Sequence, residues 1–170
     1  MHRNFRSVST APTLRAALQS VVGMVRLLTE MGSWEVLEAG DLVRCVWSRN
    51  SAPTYESALA DEVMVSTFVS GIQELIHSGP LRVEFAHRAP PGRAEHGRLL
   101  GCDVCFGRKR NVVLLERDAM SLAPSGANLD LFRFLNELAR CEIVALAPST
   151  VRERVSHFIS SRLNEPTVGL

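Results

Sequence analysis

The segment from Leu81 to Glu116, LRVEFAHRAPPGRAEHGRLLGCDVCFGRKRNVVLLE, constrains the fold most, because it sets β-prone runs around a Pro-rich turn. Leu81, Val83, Phe85 and His87 alternate with Arg82, Glu84 and Ala86, the period of a strand with one buried and one wet face. Pro90-Pro91-Gly92 reads as a turn. Beyond it, Val104 to Phe106 and Asn111 to Glu116 read as a second β pair joined through the charged turn at Arg108-Lys109-Arg110.

Helical periodicity flanks this β-rich stretch. Thr13 can cap a helix over residues 14–30, with Leu14, Ala17, Leu18, Val21, Val25 and Leu28 on one face. Trp34 to Ala39 and Leu42 to Ser48 read as a hairpin across Gly40-Asp41, with Val43, Cys45 and Trp47 on a common side. Residues 55–78 lack Pro and place Val65, Phe68, Val69, Ile72, Leu75 and Ile76 at amphipathic spacing, until Gly79-Pro80 stops the helix. Asn128 can cap a further helix from Leu129 to about Arg140, with an apolar stripe of Leu131, Phe134, Leu135 and Leu138. The order is helix, hairpin, long helix, strand, short helix, hairpin, helix. The expected class is α+β, with helices packed on a small antiparallel or mixed sheet and a C-terminal helix after a short linker.

At 170 residues the chain fits one domain. Its 46% hydrophobic and 22% charged residues exclude general disorder. A net charge of +1 gives no field able to hold nucleic acid, so specific DNA binding by this chain alone is not expected. The basic N-terminus carries no apolar stretch of signal-peptide length, and no run approaches the roughly 20 apolar residues of a membrane span, so a cytoplasmic protein is expected. Cys45, Cys102, Cys105 and Cys141 are too sparse for a disulfide scaffold.

Cys102 and Cys105 have the two-residue separation of a zinc or redox pair. A redox pair needs its first Cys at a helix N-terminus, whereas these lie at the start of an apparent strand, which favours a structural role. A zinc site joining Cys102 and Cys105 with His87 or His96 is the alternative. His87 ends a buried face, where a polar side chain must find a partner, and a bound ligand can supply it. Trp47 reads first as core and second as pocket wall, since large aromatics serve both purposes. No nucleophile elbow, metalloprotease helix or phosphate-cradling loop is present, so no catalytic residue or cofactor is expected.

Phe85, His87, Pro90, Leu100, Gly101, Cys102, Val104, Phe106, Gly107 and Asn111 together resemble the motif of the ligand-sensing domain in AraC-type bacterial transcription regulators. The Pro-Thr-Leu-x-x-Ala-Leu opening around Thr13 is similar as well, and the resemblance runs to about Val155. Asp103 stands where that family has Pro and Cys105 where it has a basic residue. The resemblance implies a sensor over residues 1–144, a linker over 145–150, and in 151–170 the first helix of a helix-turn-helix module whose remainder is missing. That last helix would present Val151, Val155, Phe158 and Ile159. It also implies a small-molecule effector, with Trp47, Phe85, His87 and Phe106 as its expected contacts, and a possible homodimer. Two rivals remain: a dimerisation protein without a small ligand, and the zinc-stabilised domain.

Overall fold

A computed structural model of the chain describes residues 8–28, 31–50 and 55–146. The chain divides into two compact units, Met1–Asn136 and Glu137–Leu170. The first holds the whole sheet. The expected linker beyond residue 146 and the helix from Val151 lie outside the described residues.

Helix α1, Leu14–Leu28, starts where Thr13 predicts: the Thr13 hydroxyl accepts from the Ala16 N–H at 3.2 Å. Strands β1, Gly32–Ala39, and β2, Leu42–Arg49, form the expected hairpin, with Trp34 opposite Trp47 and Ala39 opposite Leu42. Helix α2, Tyr55–Ile76, lays Val65, Phe68, Val69 and Ile72 into the core, as its spacing requires. Strand β3, Arg82–Glu84, helix α3, Ala94–Leu100, strand β4, Asp103–Cys105, and strand β5, Asn111–Glu116, follow. A 3-10 turn at Asp118–Ser121 precedes helix α4, Leu129–Leu146, whose N-terminus is capped by Asn128 accepting from the Leu131 N–H at 3.0 Å.

The five strands form one mixed sheet in the order β1-β2-β5-β3-β4, antiparallel except where β3 meets β4 in parallel. The class is therefore α+β, as expected. The pairing of the last two strands differs from the sequence expectation. β4 and β5 are not a hairpin, because β3 lies between them and bonds to both. Their connection is used up in a different contact: the Gly107 N–H donates to the His87 carbonyl at 2.8 Å and the Arg108 N–H to the Phe85 carbonyl at 3.0 Å. Chain leaving β4 is thus tied to chain leaving β3, and only then crosses to β5.

One face of the sheet is buried under α1 and α2. Val43 lies opposite Leu115, Cys45 opposite Val113 and Trp47 opposite Asn111, forming adjacent rows of that face. Trp34 stacks on Phe68 at 3.9 Å and tilts against Trp47 at 5.5 Å. The Trp47 indole N–H donates to Asp61 at 2.7 Å, and the same carboxylate oxygen takes Arg49 Nη2 at 2.7 Å and Nε at 3.1 Å.

Two apolar expectations change in three dimensions. Leu81 is exposed and lies outside β3, whose ladder shortens to three residues. On α4, Leu131 and Phe134 face solvent, whereas Phe132 packs against Val8, Ala11 and Ala17, and Asn136 takes the Ser20 hydroxyl at 2.8 Å. The helix start sets this rotation. The Asn128 N–H donates to the Thr10 carbonyl at 2.8 Å, turning residues 132 and 136, four apart, inward.

Burial pushes the Cys45 thiol up to about 12 from its ordinary 9.0. The unfolded thiol ionises above about 9, so stability from this group is whole below that pH and falls as pH rises toward 12. Wild type should therefore lose about 2 kcal/mol relative to Cys45→Ala between about pH 8 and about pH 10.5, read from paired urea unfolding curves. An unchanged difference would contradict a buried, neutral thiol.

Candidate functional site

The candidate site lies at the end of the sheet where β3 and β4 run out. Past Glu84 the backbone stays extended beside β4, with the Phe85 N–H donating to the Cys105 carbonyl at 2.8 Å. The Ala86 N–H donates to the Asn111 side chain at 2.8 Å, so the buried Asn that opens β5 fixes the path of residues 85–88. Helix α3 closes the region from one side. Gly101 caps it with φ 67°, a left-handed conformation that costs glycine little, and Gln73 of α2 donates to the Leu100 carbonyl at 2.8 Å. Gly107, at φ 69°, turns the chain out of β4 in the same way.

These constraints bring four rings together. Phe85, fully buried, stacks on Phe106 at 5.4 Å and lies 5.2 Å from the His87 ring. The His96 ring meets Phe106 edge-on at 5.2 Å. Between the two imidazoles stands Glu62 of α2, with Oε1 3.2 Å from His87 Nε2 and Oε2 3.2 Å from His96 Nε2.

The hydrogen-bond logic of this cluster is incomplete. His87 Nδ1 lies 2.9 Å from the Arg88 carbonyl, which can only accept, so Nδ1 carries a proton. Its Nε2 is close to Glu62 yet off the line a hydrogen bond requires, so no hydrogen bond forms there. His96 directs Nε2 at Glu62, which leaves its buried Nδ1 without a hydrogen-bond partner. Two buried ring nitrogens, His87 Nε2 and His96 Nδ1, therefore lack a hydrogen-bond partner within the protein.

Phe106, whose ring meets Phe85, His87 and His96, also lines an open cleft of about 630 Å³. The cleft wall comes from three segments: Arg88 and Ala89 after β3, Arg93 to Gly97 around the start of α3, and Cys102 to Arg108 along β4. Its volume is that of a small-molecule site, and its wall mixes apolar surface with a few polar groups.

Three of the expected contacts, Phe85, His87 and Phe106, come together here. Trp47 belongs instead to the main core, where Asp61 occupies its indole N–H. Cys102 and Cys105 both line the cleft as free thiols. Burial and the neighbouring Asp103 raise the Cys102 pKa, partly offset by a backbone hydrogen bond from Val83, which runs against the low-pKa thiolate of a redox pair. Among the described residues no group of three His, Cys, Asp or Glu side chains is disposed to hold a metal ion.

Sequence reasoning missed Glu62, which sits among the polar positions of an ordinary amphipathic helix and carries no local signal. It named His96 only for a metal. Arg88 and Arg93 bracket the Pro90-Pro91-Gly92 turn beside His87, and that bracketing was the signal available. No helix among the described residues is long and apolar enough to cross a membrane. A search of curated proteins finds no match to the chain. The family model described as the arabinose-binding domain of AraC transcription regulator, N-term, matches residues 6–123, which include the whole sheet and every residue of the candidate site. Since that match covers well over half of the 170 residues, the chain belongs to the family of N-terminal arabinose-binding domains of AraC transcription regulators.

Proposed function

We propose that this chain senses a small effector at the sheet end formed by Phe85, His87, His96 and Phe106, and that occupancy is read out through Glu62 on α2. The observation that carries this reading is the pair of buried imidazole nitrogens that lack a hydrogen-bond partner within the protein, on rings that meet Phe106 of the open cleft of about 630 Å³. Membership of a family of regulatory domains supports it. A compound that engages His87 or His96 competes with the contacts Glu62 makes to both rings, and Glu62 belongs to the long helix that covers the sheet. A regulatory response requires that the compound bind one arrangement of these elements better than another.

The test is thermal unfolding of the chain against a collection of small molecules. A true effector at about 100 times its Kd stabilises by about 2.7 kcal/mol, which raises the midpoint by roughly 5–10 °C for a domain of this size. His87→Ala and Phe106→Ala should each remove more than half of that shift. A shift of equal size in both variants would contradict the proposed site.

A further inference from the structure

We infer that the cleft selects an organic oxyanion, a carboxylate or phosphate on a partly apolar body, gripped by Arg88 and Arg93 with Arg108 at its side. This rests on the ligand-sensing reading above and specifies the chemistry of its ligand. Arg88 follows β3, Arg93 is the N-cap residue of α3, and Arg108 follows β4, yet all three line one cleft. Only one carboxylate, Asp103, shares that wall, and its Oδ2 is already 3.0 Å from Arg82 Nε. Glu95, next to the cleft on α3, is held by Arg98 at 2.8 Å. The Arg108 pKa is raised, first by the Cys105 side chain and further by Glu84 and Asp103. Arg88 and Arg93 have no anionic partner among the described residues.

Three cationic residues on one cleft wall raise the local positive potential, and a bound oxyanion lowers it while accepting paired guanidinium N–H donors. A neutral polyol offers no such compensation. The remaining wall, Ala89, Ala94, Val104 and Phe106, is largely apolar and includes an aromatic ring, so the body carrying the anion is expected to be apolar or aromatic. The basic run Arg108-Lys109-Arg110 therefore does not act as a run. All three side chains are exposed, but only the first lines the cleft, together with two arginines from elsewhere in the chain.

The inference is tested by titrating the chain, at low ionic strength, with phenyl phosphate, benzoate, inorganic phosphate and neutral benzyl alcohol, followed by amide chemical shifts. Phenyl phosphate or benzoate is expected to bind about tenfold or more tighter than benzyl alcohol. Whichever of the two binds tighter tells phosphate from carboxylate, and inorganic phosphate should bind more weakly than phenyl phosphate because it lacks the apolar body. Arg88→Gln with Arg93→Gln should weaken the aromatic anions about tenfold or more, whereas Arg44→Gln, on β2 and outside the cleft wall, should leave them unchanged. Unfolding curves without probe confirm that each variant is folded. Equal binding of benzyl alcohol and phenyl phosphate, retained in the double variant, would overturn the anion assignment while keeping a ligand site. Absence of binding by any anion at millimolar concentration would overturn the anion assignment too, and the unfolding screen would still decide the sensing reading separately.

Discussion

Asp61→Ala is expected to destabilise the fold by about 3 kcal/mol or more, although Asp61 lies outside the candidate site and on the covering helix. Its carboxylate is the common acceptor for the Trp47 indole and the Arg49 guanidinium, and both ion-pair side chains are less than one-sixth exposed. Removing it strands a core indole N–H and leaves a largely buried cation with only the Ser57 carbonyl, 2.8 Å away, as acceptor. Breaking one side of such a pair costs far more than the pair contributes. Asp61→Asn, which keeps an oxygen acceptor but loses the charge, should cost less than half as much. Urea unfolding at neutral pH measures both. A loss below about 1 kcal/mol for Asp61→Ala would show the contact to be solvent-compensated like a surface pair.

Phe85→Ala is expected to cost about 3–5 kcal/mol, because the ring is completely buried and its removal leaves a cavity that the surrounding strands cannot close. The loss should reach the site as well, since the same ring supports Phe106 at 5.4 Å and His87 at 5.2 Å. Phe85→Leu keeps most of the volume and should cost about 1–2 kcal/mol. If that milder variant retains stability but loses the ligand-induced shift in melting temperature, Phe85 positions the site in addition to filling the core.

The fold was legible wherever period and capping agreed. Thr13 and Asn128 cap the helices they were expected to cap, and the alternation of Val43, Cys45 and Trp47 marks the buried face of β2. Strand order was not legible, because the sequence neighbours β4 and β5 have nothing local to show that β3 separates them. That insertion depends on backbone bonds from Gly107 and Arg108 to residues 87 and 85, twenty or more positions away. The proximity of Phe85, His87 and Phe106 was legible for a related reason. Phe85 and Phe106 immediately follow β3 and β4, and His87 continues the alternation past β3, whereas Glu62, His96, Arg88 and Arg93 come near them only because α2, α3 and a turn converge on one sheet end. The stripe expected on α4 erred by rotation: the bond from Asn128 to Thr10, a tertiary contact, decides that Phe132 turns inward.

An effector bound as proposed touches the end of the sheet and leaves the surroundings of Trp47 undisturbed. Amide chemical-shift mapping of the chain with a compound that raises its melting temperature tests this directly. The expected result is a cluster of shifts in residues 85–88, 93–97 and 102–108, together with Glu62 on the facing helix. Shifts confined to the β1–β2 hairpin and α1, with residues 85–108 undisturbed, would contradict it.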